Sequence, residues 1–85
     1  MEEINALRKK IDELDAQLVK AFTERVAVCE EIGKIKNAKG MPIVDEAREA
    51  EIIESFKGKL SERDFGYVKS LYKRIFTLCE ACQKK

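Results

Sequence analysis

Three cations interrupt the aliphatic side of the first predicted helix: Arg25 within the apolar line, and Arg8 and Lys36 beside it. From Ile4 the heptad line reads Ile4, Leu7, Ile11, Leu14, Leu18, Ala21, Arg25, Val28, Ile32, Ile35, so a guanidinium takes a place that packing alone would give to leucine. A buried cation without a partner is costly, and the remedies are an acidic side chain or an anionic ligand. Arg25 and Lys36 lie eleven residues apart, which on a straight helix puts them within about 20° and roughly 16 Å of each other. Two long side chains at that spacing can close on a small anion. Arg8 is about 25 Å from Arg25 and about 42 Å from Lys36 along the same axis. It joins such a site only from a second copy of the chain, and two antiparallel first helices would create two equivalent composite sites.

The second predicted helix repeats the conflict with opposite sign. Glu49 shares an i, i+3, i+4, i+7 face with Ile52, Ile53 and Phe56, which points a carboxylate toward the core. Asp45 and Arg48 occupy the first turn, where Asp45 can cap the helix. Farther on, Cys79 and Gln83 are i,i+4 neighbours on one helical face. The inventory is thus three cations, an inward carboxylate and an amide, with no histidine, no glycine-rich phosphate loop and no activated nucleophile. Taken singly, each residue also has a structural reading. Arg8 can be a solvated charge, Arg25 a register-setting group paired with Glu49 or Glu24, Lys36 a snorkelling lysine and Gln83 a surface amide.

Three helices must position these groups. Apolar periodicity without proline predicts a first helix from about Ile4 to about Asn37, and the segment Ala38-Lys39-Gly40-Met41-Pro42 breaks it. Asp45 opens a second helix through about Phe56, with Gly58 placed to end it. Ser61 as N-cap, Asp64 in capping-box position and the Leu60/Phe65 staple start a third helix at Glu62 that runs to near the C-terminus. Its expected inward face is Phe65, Val68, Tyr72, Ile75, Cys79 and Cys82, flanked by Leu71 and Leu78. The fold class is therefore all-α, with one long, one short and one medium helix, and residues 1–85 form a single domain. A first helix of roughly 50 Å outruns a compact chain of this length, whose radius of gyration would be about 12 Å. Pairing with a second copy under two-fold symmetry buries its stripe most simply.

Composition excludes several classes. Hydrophobic residues make up 45 % and charged residues 39 % of 85 positions, which is a folded, helix-rich balance. Seventeen basic against sixteen acidic residues give a net charge of +1, without a basic block or an RNA-type aromatic motif, so nucleic acid is not an expected partner. No apolar run is long enough to span a membrane and the start Met1-Glu2-Glu3 is unlike a signal peptide, so no membrane partner and a cytoplasmic location are expected. Cys29, Cys79 and Cys82 are odd in number, and with no histidine available they are expected to be small buried thiols rather than metal ligands or redox groups.

In combination the pieces resemble the all-helical class of chorismate mutase along essentially the whole chain. The resemblance lies in Leu7-Arg8-Lys9-Lys10-Ile11-Asp12 with Leu14-Asp15, then Glu24-Arg25, then Ile32-Gly33-Lys34-Ile35-Lys36, then Pro42-Ile43-Val44-Asp45 into Arg48-Glu49, and finally Gln83. Each piece is short; their order and spacing make the match specific. The resemblance implies an intertwined three-helix homodimer that rearranges chorismate to prephenate on the route to phenylalanine and tyrosine, with neither metal nor cofactor. It implies that Arg8 of one protomer and Arg25 of the other bind the two substrate carboxylates. Lys36 would contact a carboxylate and the ether oxygen, and Gln83 would donate to that oxygen. Glu49 would accept from the ring hydroxyl, while Asp45 and Arg48 would line the mouth. Where the family often has a serine hydroxyl assisting a carboxylate, this chain has Cys79, a weaker donor. Two other readings share the pattern: a pyruvate lyase acting on isochorismate in the same fold, and a helical dimerisation module without activity.

Overall fold

The computed structural model describes residues 1–84 and contains three helices: α1 (Glu2–Lys39), α2 (Glu46–Phe56) and α3 (Glu62–Gln83). No strand occurs among the described residues. Each boundary has a local cause. α1 ends where Gly40 adopts φ 68°, a left-handed conformation that a side chain would resist, and the Met41 N–H then closes on the Lys36 carbonyl at 2.8 Å. Asp45 caps α2 by accepting the Arg48 N–H at 3.0 Å, and Ser61 caps α3 by accepting the Asp64 N–H at 3.1 Å.

α3 is the organising element, packing against both α1 and α2. Phe56 of α2 meets Tyr72 of α3 at a ring separation of 5.3 Å, and Tyr72 meets Phe76 at 5.6 Å, tying the short helix to the medium one. The chain is elongated, 56 × 27 × 15 Å with a radius of gyration of 16.3 Å. That exceeds the roughly 12 Å of a compact chain of this length, as the length of α1 requires.

The packed face of α1 is not the heptad line expected from sequence. In its C-terminal half, Phe22, Arg25, Val26, Cys29, Gly33 and Lys36 are buried or half-buried, whereas Val28, Ile32 and Ile35 are exposed. A strict seven-residue repeat drifts by about 20° per heptad on a straight helix, so the line rotates off the face that α3 covers. The repeat that holds on a straight helix is eighteen residues, five full turns. It superimposes Ile4 on Phe22, Leu7 on Arg25, Ile11 on Cys29 and Leu18 on Lys36. The same face therefore continues through the N-terminal half, where no other element of the chain covers it, and Leu7, Ile11 and Leu18 are 54–59 % exposed. On α3, Ile75 and Cys79 are buried as expected, while Leu71 and Leu78 remain exposed beside the uncovered face of α1.

Candidate active site

A cavity of about 350 Å³ opens where the C-terminal half of α1, the start of α2 and the end of α3 converge, a size that suits a small ligand. Its wall includes Arg25, Lys36, Asp45, Arg48, Glu49, Cys79 and Gln83, seven of the eight residues singled out from the sequence. Arg8 is not among them. It sits on the exposed N-terminal half of α1, about 25 Å from Arg25 along the helix.

The packed stripe of α1 delivers the two cations. Arg25 is held by α3: its Nη1 donates to Cys79 Sγ at 2.9 Å and to Cys29 Sγ at 3.5 Å, and its guanidinium lies 5.8 Å from the Tyr72 ring centre. Lys36, three turns on, donates from Nζ to the Ile43 carbonyl at 3.0 Å, which ties the α1–α2 connection to the cavity rim. Around the mouth, Asp45 is engaged in its cap and Arg48 pairs with Glu51 at 2.8 Å, an exposed pair of small energetic weight.

Gln83 is placed by two contacts. A methyl group added at Gly33 would stand 2.8 Å from Gln83 Cα and 2.9 Å from its Cβ, so only glycine lets α3 approach α1 this closely. The Asn37 amide nitrogen donates to the Gln83 carbonyl at 3.1 Å, which fastens the last turn of α3. The side-chain Oε1 of Gln83 is buried without a hydrogen-bond partner. An unsatisfied amide oxygen in a cavity wall leaves hydrogen-bonding capacity for a ligand, and a flip about the terminal bond presents either its oxygen or its nitrogen.

Electrostatically the wall is balanced, with the cations Arg25, Lys36 and Arg48 opposite the acids Asp45, Glu49 and Glu80. Glu49 has its carboxyl pushed above the ordinary value near 4.5, first by burial and then by repulsion from Glu80, Glu46 and Asp45. Its inward placement agrees with the α2 pattern. Glu80 was not singled out from sequence, although Phe76, Glu80 and Gln83 share an i, i+4, i+7 face that lines the cavity. Cys29 was named only as a thiol, and here the expectation of three free thiols fails. Cys29 and Cys79 are joined across α1 and α3, and only Cys82 is free. Periodicity places each sulfur on its own helix but says nothing of their meeting. Among the described residues no His, Cys, Asp or Glu cluster could hold a metal ion, and no helix is long and apolar enough to cross a membrane.

Residues 7–84 match the sequence profile of chorismate mutase type II. The chain belongs to this family. Among its relatives is a bifunctional chorismate mutase/prephenate dehydratase of Aquifex aeolicus, 33 % identical over all of this chain and 25 % of the relative. A 3-dehydroquinate dehydratase of Pyrobaculum aerophilum is 31 % identical over 92 % of the chain and 23 % of its own length. A chorismate mutase of Methanocaldococcus jannaschii is 34 % identical over 75 % of the chain and 65 % of its own length. The chain thus spans about a quarter of the first two relatives and somewhat under two thirds of the third. The chorismate mutase type II match includes α2 and α3 entirely and all of α1 from Leu7 onward, and so every cavity residue discussed above.

Proposed function

We propose that the chain is a chorismate mutase that converts chorismate to prephenate by an intramolecular [3,3] rearrangement. The observation that carries this reading is the convergence of Arg25, Lys36 and Gln83 in one cavity of a chain matching the family from residue 7 to residue 84. The reaction makes and breaks its bonds in one cyclic step, so it calls for neither a nucleophile nor a cofactor. It calls for a dianion held with its enolpyruvyl arm folded over the ring, which planar guanidinium forks achieve by bidentate pairing. Negative charge grows on the ether oxygen as the C–O bond breaks. Lys36 and the Gln83 amide, set in advance by Gly33 and Asn37, would stabilise that charge more in the transition state than in the ground state. Glu49 would accept from the ring hydroxyl, Asp45 and Arg48 would order the substrate at the mouth, and Cys79, as a thiol, would assist a carboxylate.

The active form in this reading is an intertwined homodimer built from residues 1–85 as one domain. A neutral wall of three cations and three acids is ill-suited to a dianion, and Arg8 of a second copy would supply the missing positive charge. The uncovered N-terminal half of α1 and an apolar groove of about 410 Å³ between Leu18, Phe22, Leu71, Ile75 and Leu78 offer the surface such a copy needs. A cytoplasmic location fits a biosynthetic substrate. The test is turnover by purified protein with product analysis: prephenate from chorismate, lost in Arg25→Ala, supports the proposal. Release of pyruvate from isochorismate without prephenate would assign the lyase reaction, and no turnover of either would leave a dimerisation module.

A further inference from the structure

The cavity wall contains a pair of groups for which the rearrangement has no use as a pair. Cys29 of α1 and Cys79 of α3 stand 50 residues apart in sequence with Cα atoms 6.1 Å apart, within the span of about 4.4–6.8 Å that a disulfide spans, and their sulfurs are joined. Both residues line the cavity, yet they are only 8 % and 7 % exposed, so a reagent small enough to enter the cavity is the one that reaches them. A single guanidinium nitrogen of Arg25 faces both sulfurs, at 2.9 Å from Cys79 and 3.5 Å from Cys29. In the reduced pair that cation stabilises negative charge on sulfur as a thiol gives up its proton to attack, and Cys79 is the nearer to it. Cys82 differs on every count: it is unpaired, its thiol donates to the Cys79 carbonyl at 3.2 Å, and it is not part of the cavity wall.

We propose that Cys29 and Cys79 form a redox modification site inside the substrate cavity, closed to a disulfide by a small hydroperoxide and reopened by a dithiol, and that the closed form binds the dianionic substrate weakly. The effect on substrate rests on the chorismate mutase reading; the chemistry of the pair does not. The Cys79 thiolate attacks one peroxide oxygen, the O–O bond breaks, and the departing hydroxide takes up a proton to leave as water, with Cys79 now a sulfenic acid. The Cys29 sulfur then attacks the sulfenic sulfur. The S–S bond forms, the S–O bond breaks, and the Cys29 proton leaves with the hydroxyl as a second water. Two thiols and one hydrogen peroxide give one disulfide and two waters, with two electrons passing from sulfur to oxygen. A dithiol reverses the change by two exchange steps and is itself oxidised to a disulfide. The consequence for binding follows from the same atoms. A linked Cys79 has no S–H to offer a carboxylate, and the Arg25 nitrogen that would grip that carboxylate is turned to the sulfurs.

The experiment uses the 85-residue chain, reduced with dithiothreitol, desalted without oxygen and titrated with hydrogen peroxide. Intact mass, peptide mapping and chorismate kinetics are read on the same samples. The expected result is loss of two hydrogens per chain, mapped to a Cys29–Cys79 linked peptide. KM should rise at least about tenfold, the scale of one lost charge-assisted hydrogen bond, with a smaller change in kcat. Dithiothreitol should restore both, Cys82→Ser should respond as wild type, and Cys29→Ala should form no intramolecular link. Oxidation that settles on Cys82, or stops at sulfenic or sulfinic acid without a link, would overturn the proposal, as would a link that leaves KM within about twofold. Absence of turnover in both redox states would refute the chorismate reading alone, because the mass map decides the redox site without it.

Discussion

The two halves of α1 carry the same kind of face and meet opposite fates. From Phe22 to Lys36 the face lies against α3 and delivers Arg25, Cys29 and Lys36 to a cavity. Eighteen residues earlier, Ile4, Leu7, Ile11 and Leu18 point the same way and are exposed. One stripe, half covered, teaches that the packing of α3 uses only part of the apolar face of a 38-residue helix. The covered half lines the cavity, and the uncovered half holds Arg8, which the proposed function assigns to the cavity of a second copy.

The largest effect should come from spoiling the uncovered half. Ile11→Asp places a carboxylate in the middle of the exposed stripe. If a second copy buries it, sedimentation should show loss of the dimer and activity should fall by about a hundredfold or more, the scale of an unpaired buried charge. If the stripe is plain surface, the change in stability stays within about 0.5 kcal/mol and the two halves have no common purpose.

Next in size is the covered half at its tightest point. Alanine for glycine in an exposed helix interior stabilises by about 1 kcal/mol. Gly33→Ala should do the reverse, because the new methyl meets the backbone and Cβ of Gln83 at 2.8 and 2.9 Å. We expect a loss of about 1–3 kcal/mol in stability by denaturant titration, and a fall in kcat of at least about tenfold as the amide shifts. A stabilised, fully active Gly33→Ala would mean that the α1–α3 approach does not set Gln83.

Gln83 itself sharpens the claim. The amide does not titrate, whereas a Gln83→Glu variant must be protonated to donate, and as a carboxylate it repels charge growing on the ether oxygen. The variant should be much slower than wild type near pH 7.5 and recover as the pH falls toward 5, while Gln83→Ala stays slow throughout. A Gln83→Ala rate within about a factor of two of wild type would leave Lys36 to serve the oxygen alone.

The smallest effect belongs to Glu49. Its carboxyl is raised, so the folded chain holds that proton more tightly than the unfolded chain does. The favourable contribution is complete below the ordinary value near 4.5 and is lost as pH rises through the folded value. Glu49→Gln should therefore melt slightly higher than wild type at neutral pH, with the difference closing in acid. A variant that melts lower at pH 7 would show that the carboxylate has a stabilising partner instead.

Much of this was legible in the sequence, for identifiable reasons. Helix ends depend on local chemistry, and Gly40, Asp45 and Ser61 mark them to within about two residues. Arg25 and Glu49 stood out because each contradicts the pattern around it. The choice of packed face was less legible, since heptad and straight-helix periods differ by only about 20° per seven residues and diverge only over a long helix. Contacts between distant segments left no trace at all: Cys29 with Cys79, Asn37 with the Gln83 carbonyl, and Glu80 beside Glu49 each depend on where α3 comes to rest.

The central claim is that the two halves of α1 complete one another's sites in a dimer, and subunit exchange tests it most directly. Arg8→Ala and Arg25→Ala homodimers should each be inactive, since every site in either lacks one arginine. Mixed and allowed to exchange, they should recover about a quarter of wild-type activity, because half the dimers are then mixed and each carries one intact site of two. No recovery despite proven exchange would contradict the account and confine Arg8 to the surface of its own chain.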